Sequence, residues 1–170
     1  AGKICRGDYS RCVEHQSVYF EGIEFMLKKI YNKVTHEWDT SVEEALKSFI
    51  RLPALSPDFD KKWEENGVLL KALEDAQAWA EKQGIKGLRC EIIKDDGFTP
   101  CLFVEVDATS DKKFERSVFF YGHLDKQPPN EGWDPDKSAW EPVIQNGRLY
   151  GRGAVDDGYA FYTSLAAVKA

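Results

Sequence analysis

The sequence predicts an α/β protein built in layers, and three observations carry that reading. Apolar residues recur at helical spacing as far as about residue 83. After Gly87 the period shortens from 3.6 towards two, and beyond Gly151 a glycine-rich turn leads into a last helix. The resulting order of helix, helix, helix, strands, helix is that of helices laid against a sheet.

At 170 residues the chain makes one domain, or two only if both are small. With 42% hydrophobic and 13% aromatic residues it has material for a core, which excludes wholesale disorder. A balance of 23 basic against 29 acidic residues, net −6, argues against nucleic-acid binding, which needs an excess of Lys and Arg on one face. The longest charge-free apolar stretch, Gly158 to Val168, is far short of the roughly 17–25 residues that cross a bilayer. Lys3, Arg6, Asp8, Arg11 and Glu14 leave no apolar core for a secretory signal, so no membrane partner and a cytoplasmic location are expected. Cys5, Cys12, Cys90 and Cys101 have neither zinc-knuckle spacing nor scaffold density and read as reduced thiols.

Residues 1–25 show no clean period, and a regular pattern begins at Met26, the only methionine. Residues 1–25 are therefore expected to be an extension, possibly not native, and 26–170 the folded domain. From Met26 a helix is expected, with Leu27, Ile30, Tyr31, Val34 and Trp38 near one face. Asp39-Thr40-Ser41 ahead of Glu43-Glu44 reads as capped entry to a second helix, which carries Val42, Ala45, Leu46, Phe49 and Ile50 and stops at Leu52-Pro53. A long amphipathic helix is expected from about Phe59 to Gln83, through Leu69, Leu73, Ala76 and Ala80. Leu88–Ile93 and Cys101–Val106 read as strands around an Asp95-Asp96-Gly97 turn. Ser117–Tyr121 has the unbroken apolar character of a strand buried on both faces. Asp125–Trp140 is a polar loop, and Asn146-Gly147 between short apolar runs is a type I′ hairpin signal.

Chemistry concentrates in two places. In Tyr121-Gly122-His123-Leu124-Asp125 the histidine and aspartate stand two apart beyond a strand, so both side chains project the same way from its carboxyl end. A neutral imidazole suits zinc, and a nearby carboxylate can take its other N–H; a solvated loop His and Asp is the plainer alternative. In Gly151-Arg152-Gly153-Ala154-Val155-Asp156-Asp157-Gly158 two carboxylates precede a helix. They can cap that helix, or one can bridge two divalent metals. Dinucleotide binding is set aside, because the third fingerprint glycine would fall at Asp156. Trp133 and Trp140 read as loop anchors, His15 and His36 as surface residues, and Tyr159 and Tyr162 as core-facing.

Together these segments carry a resemblance. GHLDKQPPNEGW, then W-E-P, the Asn-Gly hairpin and RLYGRGAVDD resemble the di-zinc metallopeptidase family of carnosinases, aminoacylases, acetylornithine deacetylases and bacterial glutamate carboxypeptidases. The likeness runs from about Met26 to Ala170 and is tightest from Tyr121 to Tyr162; GHLDKQP and the paired aspartates are closer to the dipeptidase-type branch. It implies the N-terminal part of a zinc-exopeptidase-like catalytic domain, a central mixed sheet flanked by helices, truncated before the lid and dimerisation domain. It also implies that His123 ligates one of two zinc ions, that Asp125 is the catalytic-site aspartate orienting His123, and that Asp156 bridges both ions. The Asp156–Asp157 peptide bond is expected to be cis by the same resemblance.

The general base and remaining ligands are expected beyond residue 170, which would leave this piece inactive and prone to aggregate. The parent protein is expected to be a zinc-dependent amide hydrolase, a homodimer acting on dipeptides or C-terminal residues. An N-acyl-amino-acid deacylase, or an inactive family module serving protein interaction, are the alternatives.

Overall fold

The computed structural model describes the backbone of residues 9–109 and 116–170, and the side chains of the same residues from 22 onward. Helix α1 (Tyr9–Glu37) runs through Met26 without a break. The residues that spoil the early pattern mostly precede Tyr9, and Gly22 alone costs a helix only about 1 kcal/mol relative to alanine. Packing of Cys5 to Val18, on which the division at Met26 would rest, lies outside the described side chains. Of the apolar residues assigned to the face of α1, only Trp38, just beyond its end, packs on the core, while Leu27, Ile30, Tyr31 and Val34 are exposed.

The expected capped break after α1 is instead a wider turn, Trp38–Val42, in which the Glu43 N–H reaches the Trp38 carbonyl, and helix α2 (Glu43–Arg51) follows directly. The side chains that would have capped are used elsewhere. The Thr40 hydroxyl donates back to the His36 carbonyl, and the Ser41 hydroxyl accepts the Trp79 indole N–H at 3.0 Å. The long third helix is also divided. A short helix α3 (Trp63–Asn66) ends at Gly67, whose left-handed backbone (φ 67°) no helix interior accepts, before α4 (Val68–Glu81) begins.

Strands β1 (Leu88–Ile93) and β2 (Cys101–Val106) pair antiparallel, with Cys90 opposite Val104 and Ile93 opposite Cys101, and both cysteines are free thiols. Their alternation is regular, and Ile92 and Leu102 pack towards α4. Strands β3 (Val143–Gln145) and β4 (Arg148–Tyr150) form the second hairpin. Asn146 and Gly147 both take positive φ there, 53° and 72°, as a type I′ turn demands.

No single mixed sheet forms among the described residues; there are two separate hairpins. The run Ser117–Tyr121 is correspondingly not a buried strand. Val118, Phe119 and Tyr121 are 80%, 83% and 78% exposed. A doubly buried strand needs a hydrogen-bonding neighbour and two covered faces, and β1 and β2 satisfy only each other.

The core lies between α2, α4 and the last helix α5 (Tyr159–Lys169), through Leu46, Phe49, Ile50, Leu69, Leu73, Ala76 and Ala166. Tyr162 is buried among Trp79, Phe161 and Phe49, with ring centroids 4.9, 5.3 and 6.4 Å away. Burial pushes its phenol above the ordinary tyrosine range. Tyr159, also expected in the core, is exposed, because its position at the start of α5 turns it outward.

Candidate functional site

Two segments meet at the site. The first, 122–126, is knitted to the loop after α2: the Lys126 N–H donates to the Ala54 carbonyl at 2.8 Å and the Ser56 N–H to the Lys126 carbonyl at 2.9 Å. These bonds form a parallel bridge between Leu55 and Lys126. Extended backbone then sorts the side chains by parity. Leu124 and Lys126 point into the core, and His123 and Asp125 point out, half-buried. The second segment is the turn Ala154–Gly158, closed by the Gly158 N–H on the Gly153 carbonyl at 3.0 Å. Asp156 (φ −109°, ψ 95°) breaks any helical path here, and the Asp156–Asp157 peptide bond is cis.

His123 sits between two carboxylates. Its Nδ1 lies 3.2 Å from Asp125 Oδ1 and 3.1 Å from the Asp125 carbonyl oxygen, while its Nε2 faces Asp156 Oδ1 at 3.5 Å. The main-chain N–H of His123 donates to Asp157 Oδ2 at 3.3 Å. Neither aspartate caps α5, whose first turn has no side-chain cap, so the plain capping role does not describe this pair.

The imidazole and the Asp156 carboxylate suit a divalent cation by chemistry and by span. Two ligands at about 2.0–2.1 Å in tetrahedral geometry stand roughly 3.3 Å apart, close to the observed 3.5 Å. With Asp125 on Nδ1, the Nε2 lone pair is the one left for a metal. The set is incomplete: no group of three or more His, Cys, Asp or Glu side chains able to hold a metal converges among the described residues.

Two residues were not singled out by sequence reasoning. Asp157 orients the His123 backbone. Lys126 is 1% exposed and donates to the carbonyls of Phe49 (2.6 Å), Ile50 (3.2 Å) and Leu52 (2.7 Å). Its ammonium also lies 3.9 Å from the centre of the Phe49 ring and 5.4 Å from that of Trp140. Burial pulls its pKa down from 10.5 to about 7; the carbonyls and ring faces act against that pull by favouring the charged form. Trp133 donates to the Pro129 carbonyl at 2.7 Å within its own loop and does not pack on the core cluster, and His36 is exposed.

The sequence model of peptidase family M20/M25/M40 matches residues 119–170, the stretch that contains both segments of the site. Residues 119–170 belong to this family. Relatives of the M20 segment and its flanks include a succinyl-diaminopimelate desuccinylase of Acidiphilium cryptum, 49% identical over 51 residues, covering 30% of this chain and 13% of that protein. A protein of the same name from Nitratiruptor sp. is 29% identical over 131 residues, 75% of this chain and 29% of its own length. An uncharacterized metallohydrolase of Methanocaldococcus jannaschii is 29% identical over 136 residues, 75% and 32% of the two chains. The chain thus spans less than a third of each of these relatives. No helix among the described residues is long and apolar enough to cross a membrane.

Proposed function

We propose that this chain carries part of the zinc site of an amide hydrolase, with His123 and Asp156 as metal ligands. The observation that carries the reading is the approach of His123 Nε2 to Asp156 Oδ1 at 3.5 Å, with Asp125 on the opposite ring nitrogen. Bound zinc would supply Lewis acidity, lowering the pKa of a water towards 7 and polarising the scissile carbonyl. The protein's part is positional. Asp125 accepts from Nδ1 and holds the imidazole in the tautomer with a free Nε2. Asp157 takes the His123 N–H and ties the two segments together. Asp156, set between Gly153 and Gly158, presents a carboxylate whose second oxygen is available to a second ion.

The substrate proposed is a dipeptide or the C-terminal residue of a peptide, as the GHLDKQP form and the paired aspartates suggest. A second reading, hydrolysis of an N-acyl amino acid, is favoured by the desuccinylase names of the relatives. The test is to assay the intact protein with added zinc against dipeptides and N-succinyl amino acids in parallel. Replacing a ligand should cost at least what second-layer changes cost, so H123A and D156A should each lower kcat/KM by about 100-fold or more. Full activity in both variants would sink the proposal, and the better substrate selects between the readings. A zinc-loaded wild type that hydrolyses neither would instead support a non-catalytic module.

A further inference from the structure

The structure joins both halves of the site at one buried side chain. Helix α2 ends with carbonyls that take only short-range bonds, Phe49 from the Leu52 N–H at 3.0 Å and Leu52 from the Ala54 N–H at 2.9 Å, and its dipole leaves that end negative. Lys126 places an ammonium there, on the Phe49, Ile50 and Leu52 carbonyls. It does so from a segment whose main chain is already bonded to Ala54 and Ser56, three residues after His123. Its stem also abuts the other half of the site. A Cβ built on Gly153 would lie 2.8 Å from Lys126 Cε and 3.1 Å from Phe49 Cε1, and one on Gly158 would lie 2.2 Å from Phe49 Cε1. Lys126 and Phe49 therefore fill the space that both glycines leave open, and Asp156 stands on the turn between those glycines.

We propose that Lys126 is a positioning residue: its side chain fixes the segment bearing His123 and the turn bearing Asp156 to the C-terminal end of α2, and so sets the span between them. At 1% exposure it touches no substrate, and its effect passes through His123 and Asp156. The proposal rests on the reading of those two residues as metal ligands.

The test uses the intact protein with isotope-labelled histidine. The His123 ring signals are identified by their loss in H123Q, and zinc affinity is measured by chelator competition. Wild type should show one tautomer, with the proton on Nδ1, and a zinc-dependent shift of Nε2. K126M keeps the stem and removes the three donors. It should show mixed tautomers and a zinc affinity lower by about tenfold, the usual scale for a residue supporting a ligand. If K126M has a lower unfolding midpoint but an unchanged His123 tautomer and zinc affinity, Lys126 is only structural and the proposal is overturned. If zinc leaves wild-type His123 unmoved, the ligand reading fails by itself, and the tautomer comparison still decides the role of Lys126. If K126M does not fold, F49L takes its place, because it removes the ring that packs on the Lys126 ammonium and against Gly158 while keeping the carbonyl acceptors. A weakened zinc affinity in F49L supports the proposal, and an unchanged one overturns it.

Discussion

A methyl group at position 158 has nowhere to go. Gly158 has ordinary helical φ (−49°), so the cost of G158A is steric: its Cβ would overlap Phe49 Cε1 at 2.2 Å. Forcing a carbon into a packed core costs about 1–3 kcal/mol, and the urea midpoint should fall accordingly. Lys126 makes a prediction of opposite character, in pH. Its pKa is about 7 in the fold against 10.5 for the ordinary side chain, so the unfolded chain binds more protons between those values. The groups facing it are the Phe49, Ile50 and Leu52 carbonyls and the Phe49 and Trp140 rings. Its contribution to stability grows as pH rises through that window and is lost as pH falls towards 7. Urea unfolding from about pH 7 to 9 should therefore show wild type gaining stability relative to K126M, whereas parallel curves would contradict the shift. The same two neighbourhoods show what a sequence reveals of a site. His123 and Asp125 were legible because parity in extended chain fixes their common direction. The glycine-rich turn marked out both Asp156 and Asp157, and only the resemblance chose Asp156 between them. The role of Lys126 depends on acceptors 74 to 77 residues away, and that of Asp157 on an N–H 34 residues away, which no local pattern encodes.

Between residues 37 and 43 a cap signature and a continuous helix use the same letters. Asp39-Thr40-Ser41 can end one helix and start another, and only the partners decide. Here the Trp79 indole N–H on α4 donates to the Ser41 hydroxyl, and the helix runs on through a wider turn. S41A should cost about 1 kcal/mol by leaving the half-buried indole N–H unpaired, read as a lower midpoint in urea unfolding followed by circular dichroism. The hairpins were legible to within a residue because alternation and the Asn-Gly turn are local signals. The division at Gly67 was not. Glycine is tolerated inside a helix at modest cost, so Gly67 by itself does not announce the left-handed turn at which the Asn66 side chain accepts the Val68 N–H at 2.9 Å.

At the scale of the whole molecule, the apolar run Val118–Tyr121 is the main departure from the layered plan. Its sequence reads as a central strand, yet its side chains face outward. Apolar, exposed and in neither hairpin among the described residues, it is a template for strand pairing. Substituting serine at Phe119 and Tyr121 should change stability by no more than about 0.5 kcal/mol, since exposed positions contribute little. It should also lower association of this 170-residue chain, measured by light scattering across a concentration series; unchanged association would show that another surface is responsible.

The seclusion of Lys126 also makes it a clock. An amine-reactive ester acylates exposed lysines such as Lys82 and Lys86 on contact, but reaches Lys126 only when segment 122–126 parts from α2. The lag of its label behind theirs, read by mass spectrometry, counts how often segment 122–126 parts from α2, with each tenfold of lag equal to about 1.4 kcal/mol of opening. If zinc bridges His123 and Asp156 as proposed, adding it should slow the acylation of a lysine that never touches the metal.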